Sequence, residues 1–259
     1  MPAPLLVPAV IAVAFLVLPL AGLVVRAPWG HLGSVLSGAD AVQALVLSLW
    51  TATVATGVCL VLGVPLAWVL ARTAFPGQRL LRALVTLPLV LPPVVGGVAL
   101  LLAFGRTGFI GRYLNSWFGI TIPFTPIAVV MAETFVAMPF LIIAVEGALR
   151  SADQGFEEAA ATLGATRMTV FRRVTVPLIA PSLGAGAVLC WARALGEFGA
   201  TITFAGSFPG QTETMPIAVY YALETDPNAA IALSLVLLLV SVAVLVSLRD
   251  RWLRGGSVP

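Results

Sequence analysis

Lysine is absent: all 14 basic positions among the 259 residues are Arg. A phosphate-cradling loop of the G-x-x-x-x-G-K-[ST] type needs its Lys, so this chain is not expected to hold and split a nucleotide, and any ATP-driven work falls to another subunit. Histidine occurs once, at His31, and cysteine twice, at Cys59 and Cys190, far apart in the sequence. That is too little for a metal centre or a nucleophilic relay, and two thiols set in apolar runs read as buried structural groups that leave the redox compartment open. Charge is equally scarce, at 10% of residues with a net of +3, while 60% are hydrophobic. With a mean hydropathy of +1.06, this composition excludes a soluble domain of ordinary make-up and gives no sign of a nucleic-acid partner. An all-α integral membrane protein is expected, a single transmembrane domain over residues 1–259 with room for six helices of about 20 residues each.

The spans follow from the apolar runs. The first covers about 5–25; no basic residue precedes it and its apolar core is long, so it reads as a retained span rather than a signal peptide. Arg26 to Asp40 is a polar connection with an interfacial Trp29 and a solvated His31. The second span, about 44–71, carries Ser48, Thr51, Thr53 and Thr56, whose hydroxyls can bond their own helix or a neighbour. The third, about 84–104, contains Pro88, Pro92, Pro93, Gly96 and Gly97. Broken backbone at membrane depth is tolerated only inside protein or beside water, so Pro92, Pro93, Gly96 and Gly97 are expected to line a transport path or form its gate; a kinked structural helix is the alternative. Residues 105–126 form a loop with a short interfacial segment.

In the fourth span, about 127–147, Glu133 is a candidate path residue, with a protonated or paired structural role as the alternative. The fifth, about 178–205, is expected to open at Pro177, which loses no needed hydrogen bond at a helix start. Arg193 and Glu197 sit four apart within it, well inside the membrane, where they can pair and also serve the transport path. A polar stretch leads to the sixth span, about 229–248. Ten Arg lie in the connections and tail on one side and three on the other, which by the positive-inside rule puts both termini and the 150–177 loop in the cytoplasm.

That loop is a polar island in an apolar chain, holding Arg150, Asp153, Glu157, Glu158, Arg167, Arg172 and Arg173. Phe156, Ala160, Leu163 and Arg167 recur at helical spacing, Gly164 suits a helix end, and Thr166 suits the cap of a second turn running to Val174. The run Glu158-Ala159-Ala160-x3-Gly164-x9-Val174-x-Val176-Pro177 resembles the E-A-A-x3-G-x9-I-x-L-P loop of ABC importer permeases, with Val for Ile and Val for Leu. The resemblance implies a coupling helix that docks on an ATPase subunit through Glu158, Ala159, Ala160, Leu163 and Gly164, closed by Pro177.

Two further stretches narrow the resemblance. Ala192-Arg193-Ala194-Leu195-Gly196-Glu197-Phe198-Gly199-Ala200-Thr201 looks like the fifth-span motif of molybdate, tungstate and sulfate permeases, and Thr212-Glu213-Thr214-Met215-Pro216-Ile217-Ala218-Val219-Tyr220 looks like a stretch of the molybdate branch. What this implies is a homodimeric permease in a bacterial or archaeal inner membrane, with two cytoplasmic ATPase subunits that carry ATP and Mg, an external binding protein, and no cofactor on this chain. Substrate would be molybdate or tungstate, with sulfate or thiosulfate as the runner-up. A stand-alone transporter using Glu133, Arg193 and Glu197 as a proton relay leaves the Glu-Ala-Ala loop unexplained.

Overall fold

The computed structural model describes residues 3–30 and 32–254, so His31 lies outside the described residues, as do the side chains of Arg249, Arg251 and Arg254. Among the described residues all regular structure is helical. In chain order the helices are α1 (Ala3–Val25), α2 (Leu32–Leu36), α3 (Ala39–Arg72), α4 (Gln78–Val90), α5 (Pro93–Phe104), α6 (Gly111–Phe118), α7 (Pro126–Ser151), α8 (Gly155–Thr162) and α9 (Arg167–Val170). A π-helical turn, Phe171–Thr175, then leads into α10 (Val176–Leu195), followed by α11 (Gly199–Ala205), α12 (Met215–Thr225) and α13 (Pro227–Arg254). Five helical segments are long and apolar enough to cross a bilayer, and six if the bent pair α4–α5 counts as one.

The core is built by α3, α7 and α10. Lipid tails are as apolar as Leu, so spans associate by close packing of small residues rather than by the hydrophobic effect. The stripe that α3 buries is accordingly Ala44, Ser48, Thr51, Ala52, Ala55, Cys59, Gly63 and Ala67. At Gly63 an added Cβ would meet Ile142 and Leu141 of α7 at 3.3 and 3.4 Å. Gly186 of α10 seats against α7 more tightly still, with its missing Cβ only 2.9 Å from that of Ala144. By contrast α1 has no buried residue in its spanning length, and touches α13.

Three boundaries differ from the sequence-based expectation, two of them because of proline. The third span is two helices, bent by 118° from one to the next across Leu91–Pro92, because Pro92 and Pro93 together remove two amide donors and push the preceding residue to extended backbone. The fifth span does not start at Pro177. Helix already runs from Arg167, and the π turn just before Pro177 sends the Val176 N–H to the Phe171 carbonyl. A proline inside a helix removes an amide bond and crowds the carbonyl four residues back, and a π turn is one recognised way to absorb that disruption. The same span stops at Leu195, and α11 resumes at Gly199, so residues 178–205 are not one continuous helix. The polar stretch before the last span also contains a helix, α12, which packs on α13 and α3.

Candidate coupling segment and intramembrane polar core

Helix α8 begins behind an Asx turn in which the Gly155 N–H donates to Asp153 Oδ1 at 2.9 Å, and it carries Glu157 and Glu158 in its first turn, where carboxylates suit the helix dipole. It ends in a Schellman arrangement: the Ala165 N–H donates to the Ala160 carbonyl at 3.1 Å and the Gly164 N–H to Ala161 at 3.0 Å. That closure needs left-handed backbone at Gly164, whose φ is +83°. Thr166 then caps the next turn, its hydroxyl accepting the Thr169 N–H at 3.3 Å. Helix, break, helix is therefore written into Gly164 and Thr166.

The two faces of α8 differ in kind. Inward, Ala161 and Ala165 line a cavity of 260 Å³ with Trp68, Val170 and Phe171. A single carboxylate oxygen, Glu157 Oε1, accepts from Arg72 Nη2 at the end of α3 and from Thr175 Oγ1 in the π turn, each at 3.0 Å. Outward, Glu158, Ala159 and Gly164 are exposed and Leu163 is 88% exposed, with Phe156 and Met168 as further uncovered apolar groups. Ala160 is half-buried and Pro177 exposed. Sequence reasoning singled out Glu158 and passed over Glu157, Arg72 and Thr175. Nothing in their spacing, 85 and 18 residues from Glu157, signals the contact.

A second group of polar residues lies inside the bundle. Glu133 on α7 is 1% exposed and accepts a 2.9 Å hydrogen bond from Thr51 on α3, while its other oxygen has no partner among the described residues. The neighbouring hydroxyls on α3 serve both roles expected of them. Thr56 bonds its own helix at Ala52, Thr53 bonds Leu49 and also accepts from the Trp191 indole, and Ser48 accepts the Met215 N–H at 2.7 Å, fixing the start of α12.

Because Glu133 is buried, its environment makes a clear prediction. Thr51→Val strips the carboxylate of its one hydrogen bond and should cost about 1–3 kcal/mol, whereas Thr51→Val with Glu133→Leu, which removes both polar partners, should restore most of the thermal midpoint. A Thr51→Val midpoint equal to that of the unaltered chain would show that the bond stabilises nothing.

Arg193 and Glu197 do meet, Nη2 to Oε2 at 2.7 Å, with Glu197 1% exposed. The pair spans the end of α10, and the other oxygen of Glu197 accepts the Ala200 N–H at 2.8 Å, so the carboxylate fastens α11 across the break. Helix α11 in turn lies on α5. A Cβ on Gly97 would stand 2.7 Å from Thr203 Cβ and 2.8 Å from the Ala200 carbonyl oxygen, and one on Gly199 would stand 2.9 Å from Pro93 Cβ. Gly96 is likewise buried, against Phe135 of α7, while Pro92 and Pro93 are exposed at the apex of the bend. The glycines of the broken span are thus packing contacts, and the prolines are its uncovered edge. Among the described residues no group of three His, Cys, Asp or Glu stands close enough to hold a metal ion.

Residues 63–255 match the family described as binding-protein-dependent transport system inner membrane component. The molybdenum transport system permease protein ModB of Mycobacterium tuberculosis is 50% identical over 244 residues, covering 94% of this chain and 92% of that protein. The sulfate transport system permease protein CysT of Salmonella typhimurium is 38% identical over 245 residues, covering 93% and 88%. Among solved structures, a chain from the crystal structure of a bacterial ABC transporter importing the acidic polysaccharide alginate superposes with a TM-score of 0.76 at 19% identity, covering 98% of this chain and 95% of that one. At that identity the likeness is one of fold.

Proposed function

The chain belongs to the family of binding-protein-dependent transport system inner membrane components, and on that premise we propose that it is the permease subunit of an ATP-driven importer that moves molybdate or tungstate into the cytoplasm by alternating access. The observation that carries the substrate reading is 50% identity to a molybdenum permease across nearly the whole chain, against 38% to a sulfate permease over a similar length. Sulfate or thiosulfate stays the second reading on the strength of that second relative, since all are tetrahedral dianions. The proton-coupled reading is set aside, because this family works with a binding protein and a separate ATPase.

In this proposal a second copy of the chain completes the pathway, an external binding protein delivers the oxyanion, and two ATPase subunits carrying ATP and Mg act from the cytoplasm, the side of both termini and of α8. The outward face of α8 and of the turn after it supports such docking: Glu158, Ala159, Leu163 and Gly164 are uncovered, and the side chains beside the Glu158 carboxylate are small or apolar. Within the membrane, Pro92 and Pro93 form the edge of the gate. Gly96 and Gly97 seat it on α7 and α11, and the Arg193–Glu197 pair holds α11 in place behind it, with Glu133 as part of the same polar interior. Binding of ATP would bring the ATPase subunits together and turn the spans outward; hydrolysis would reset them.

Uptake of labelled molybdate by the reconstituted importer separates the two substrates. A large excess of sulfate should leave molybdate uptake unchanged, and competition by sulfate at equal concentration would assign the chain to the sulfate branch.

A further inference from the structure

The interfacial segment expected within 105–126 is α6, which lies where α5 ends and α7 begins. The 26 residues of α7 separate it from α8 by about 39 Å, so the two sit at opposite ends of the bundle. Its apolar residues fall at Ile110, Tyr113, Leu114, Trp117 and Phe118, the i, i+3, i+4, i+7, i+8 spacing of a helix with one apolar face, and Arg112, Asn115 and Ser116 make the other face. A helix so patterned turns its apolar face to a core or to lipid. Here no core receives it: Tyr113 is 43%, Phe118 67% and Trp117 72% exposed, while Leu114 is half-buried. The Tyr113 and Trp117 rings stand 5.3 Å apart, and this face bounds an open apolar groove of 410 Å³.

The helix does not hang on a loose loop. The turn before it folds back on α5, with the Phe109 N–H donating to the Leu102 carbonyl at 3.3 Å and the Ile110 N–H to Ala103 at 2.9 Å. At Gly108 an added Cβ would stand 2.6 and 2.8 Å from those two carbonyl oxygens, so the wrap admits no side chain there. It fastens α6 to the half-span that leaves the Pro92 bend. It also sets Phe109, 65% exposed, at the level of Leu102, 68% exposed, so the uncovered apolar surface of α6 begins where that of α5 stops.

The chemistry of the face decides between lipid and a second copy of the chain. Spans that pack on one another do so through small residues, as α3, α7 and α10 show, whereas this face presents large aromatic rings around an open groove. Arg106 and Arg112 are exposed beside it, Arg112 lying 4.6 Å from the centre of the Tyr113 ring, and the sequence carries no acid between Asp40 and Glu133. Tyr and Trp rings flanked by Arg suit the level of lipid headgroups, where an apolar body and a polar edge are both satisfied.

We propose that α6 lies in the plane of the membrane, its Tyr113, Trp117 and Phe118 face sunk about 5–10 Å into the boundary between phospholipid headgroups and acyl chains, with Arg106 and Arg112 at the phosphates. Because the wrap joins α6 to α5, the bilayer then holds the end of the bent span remote from α8 at a fixed depth. This anchor is independent of which anion the chain carries.

The test uses the full chain in nanodiscs of equal parts phosphatidylcholine and phosphatidylglycerol. Cys59 and Cys190 are fully buried, so a spin label attached in Trp117→Cys, Phe118→Cys or Ser116→Cys, all at exposed positions, reports on that site alone. Collision with oxygen, which partitions into lipid, against collision with a water-soluble nickel chelate gives the depth of each label. The labels at 117 and 118 are expected about 5–10 Å below the phosphates, and the label at 116 in water. Labels at 117 and 118 that meet the nickel chelate as freely as the one at 116 overturn the proposal. So do labels there shielded from both reagents, which would put a second copy of the chain over this face.

Discussion

Gly164→Trp is expected to reach the membrane and fold as the unaltered chain does, yet to lower ATP-driven uptake by about tenfold or more, the equivalent of about 1.4 kcal/mol in a contact. The structure allows this variant to be read cleanly. An added Cβ at Gly164 meets no atom within 4 Å, so a large side chain finds open space within the chain itself. What any L-residue does incur there is backbone strain, since φ is +83°, and that is about 1–2 kcal/mol. Gly164→Ala shares the strain and lacks the bulk, so the difference between the two variants isolates whatever docks on this surface. Uptake and ATP hydrolysis should be measured together on the reconstituted importer. Hydrolysis that persists while uptake falls only in the Trp variant supports the docking role; equal uptake in the Ala and Trp variants removes it.

Gly97→Ala is expected to have the larger effect on the fold itself. Its Cβ would stand 2.8 Å from the Ala200 carbonyl oxygen and 3.0 Å from Ala200 Cα, and backbone cannot rotate away as a side-chain tip can. The helices α5 and α11 must part, a cost of about 1–3 kcal/mol by analogy with overpacked cores and more where, as here, the contact sits beside a broken span. Gly57→Ala is the matched control on α3, with nothing within 4 Å of the added atom, and there replacement should be neutral or slightly stabilising. Thermal midpoints that fall equally in both variants would mean that glycine matters for helix flexibility and not for the α5–α11 contact.

How far the sequence alone reaches is clear from particular residues. Composition was enough for the membrane class and helical architecture, because Leu-, Val- and Ala-rich runs of spanning length admit few other structures. Gly164 and Thr166 were legible because a left-handed helix end and a hydroxyl cap are local chemistry, decided within a few residues. Pro177 misled for the same local reason: proline is favoured at helix starts, whereas here helix already runs from Arg167, ten residues earlier, through a π turn just before the proline. The Arg193–Glu197 pairing was visible in its spacing, but that α10 stops between them was not, since Gly196 within an apolar run reads equally as packing. Thr51 with Glu133 and Arg72 with Glu157 join residues more than 80 positions apart. Such contacts depend on which helices become neighbours, and hydropathy along one chain carries no record of that.

One carboxylate oxygen, Glu157 Oε1, receives both Arg72 of α3 and Thr175 beside α10. Mechanically this is a shared anchor. A force applied to α8 divides at that atom and arrives at two spans in parallel rather than passing down the backbone to α10 alone. The linkage rests on two hydrogen bonds to one oxygen, and α3 and α10, already packed on each other in the core, answer a displacement of α8 as one body.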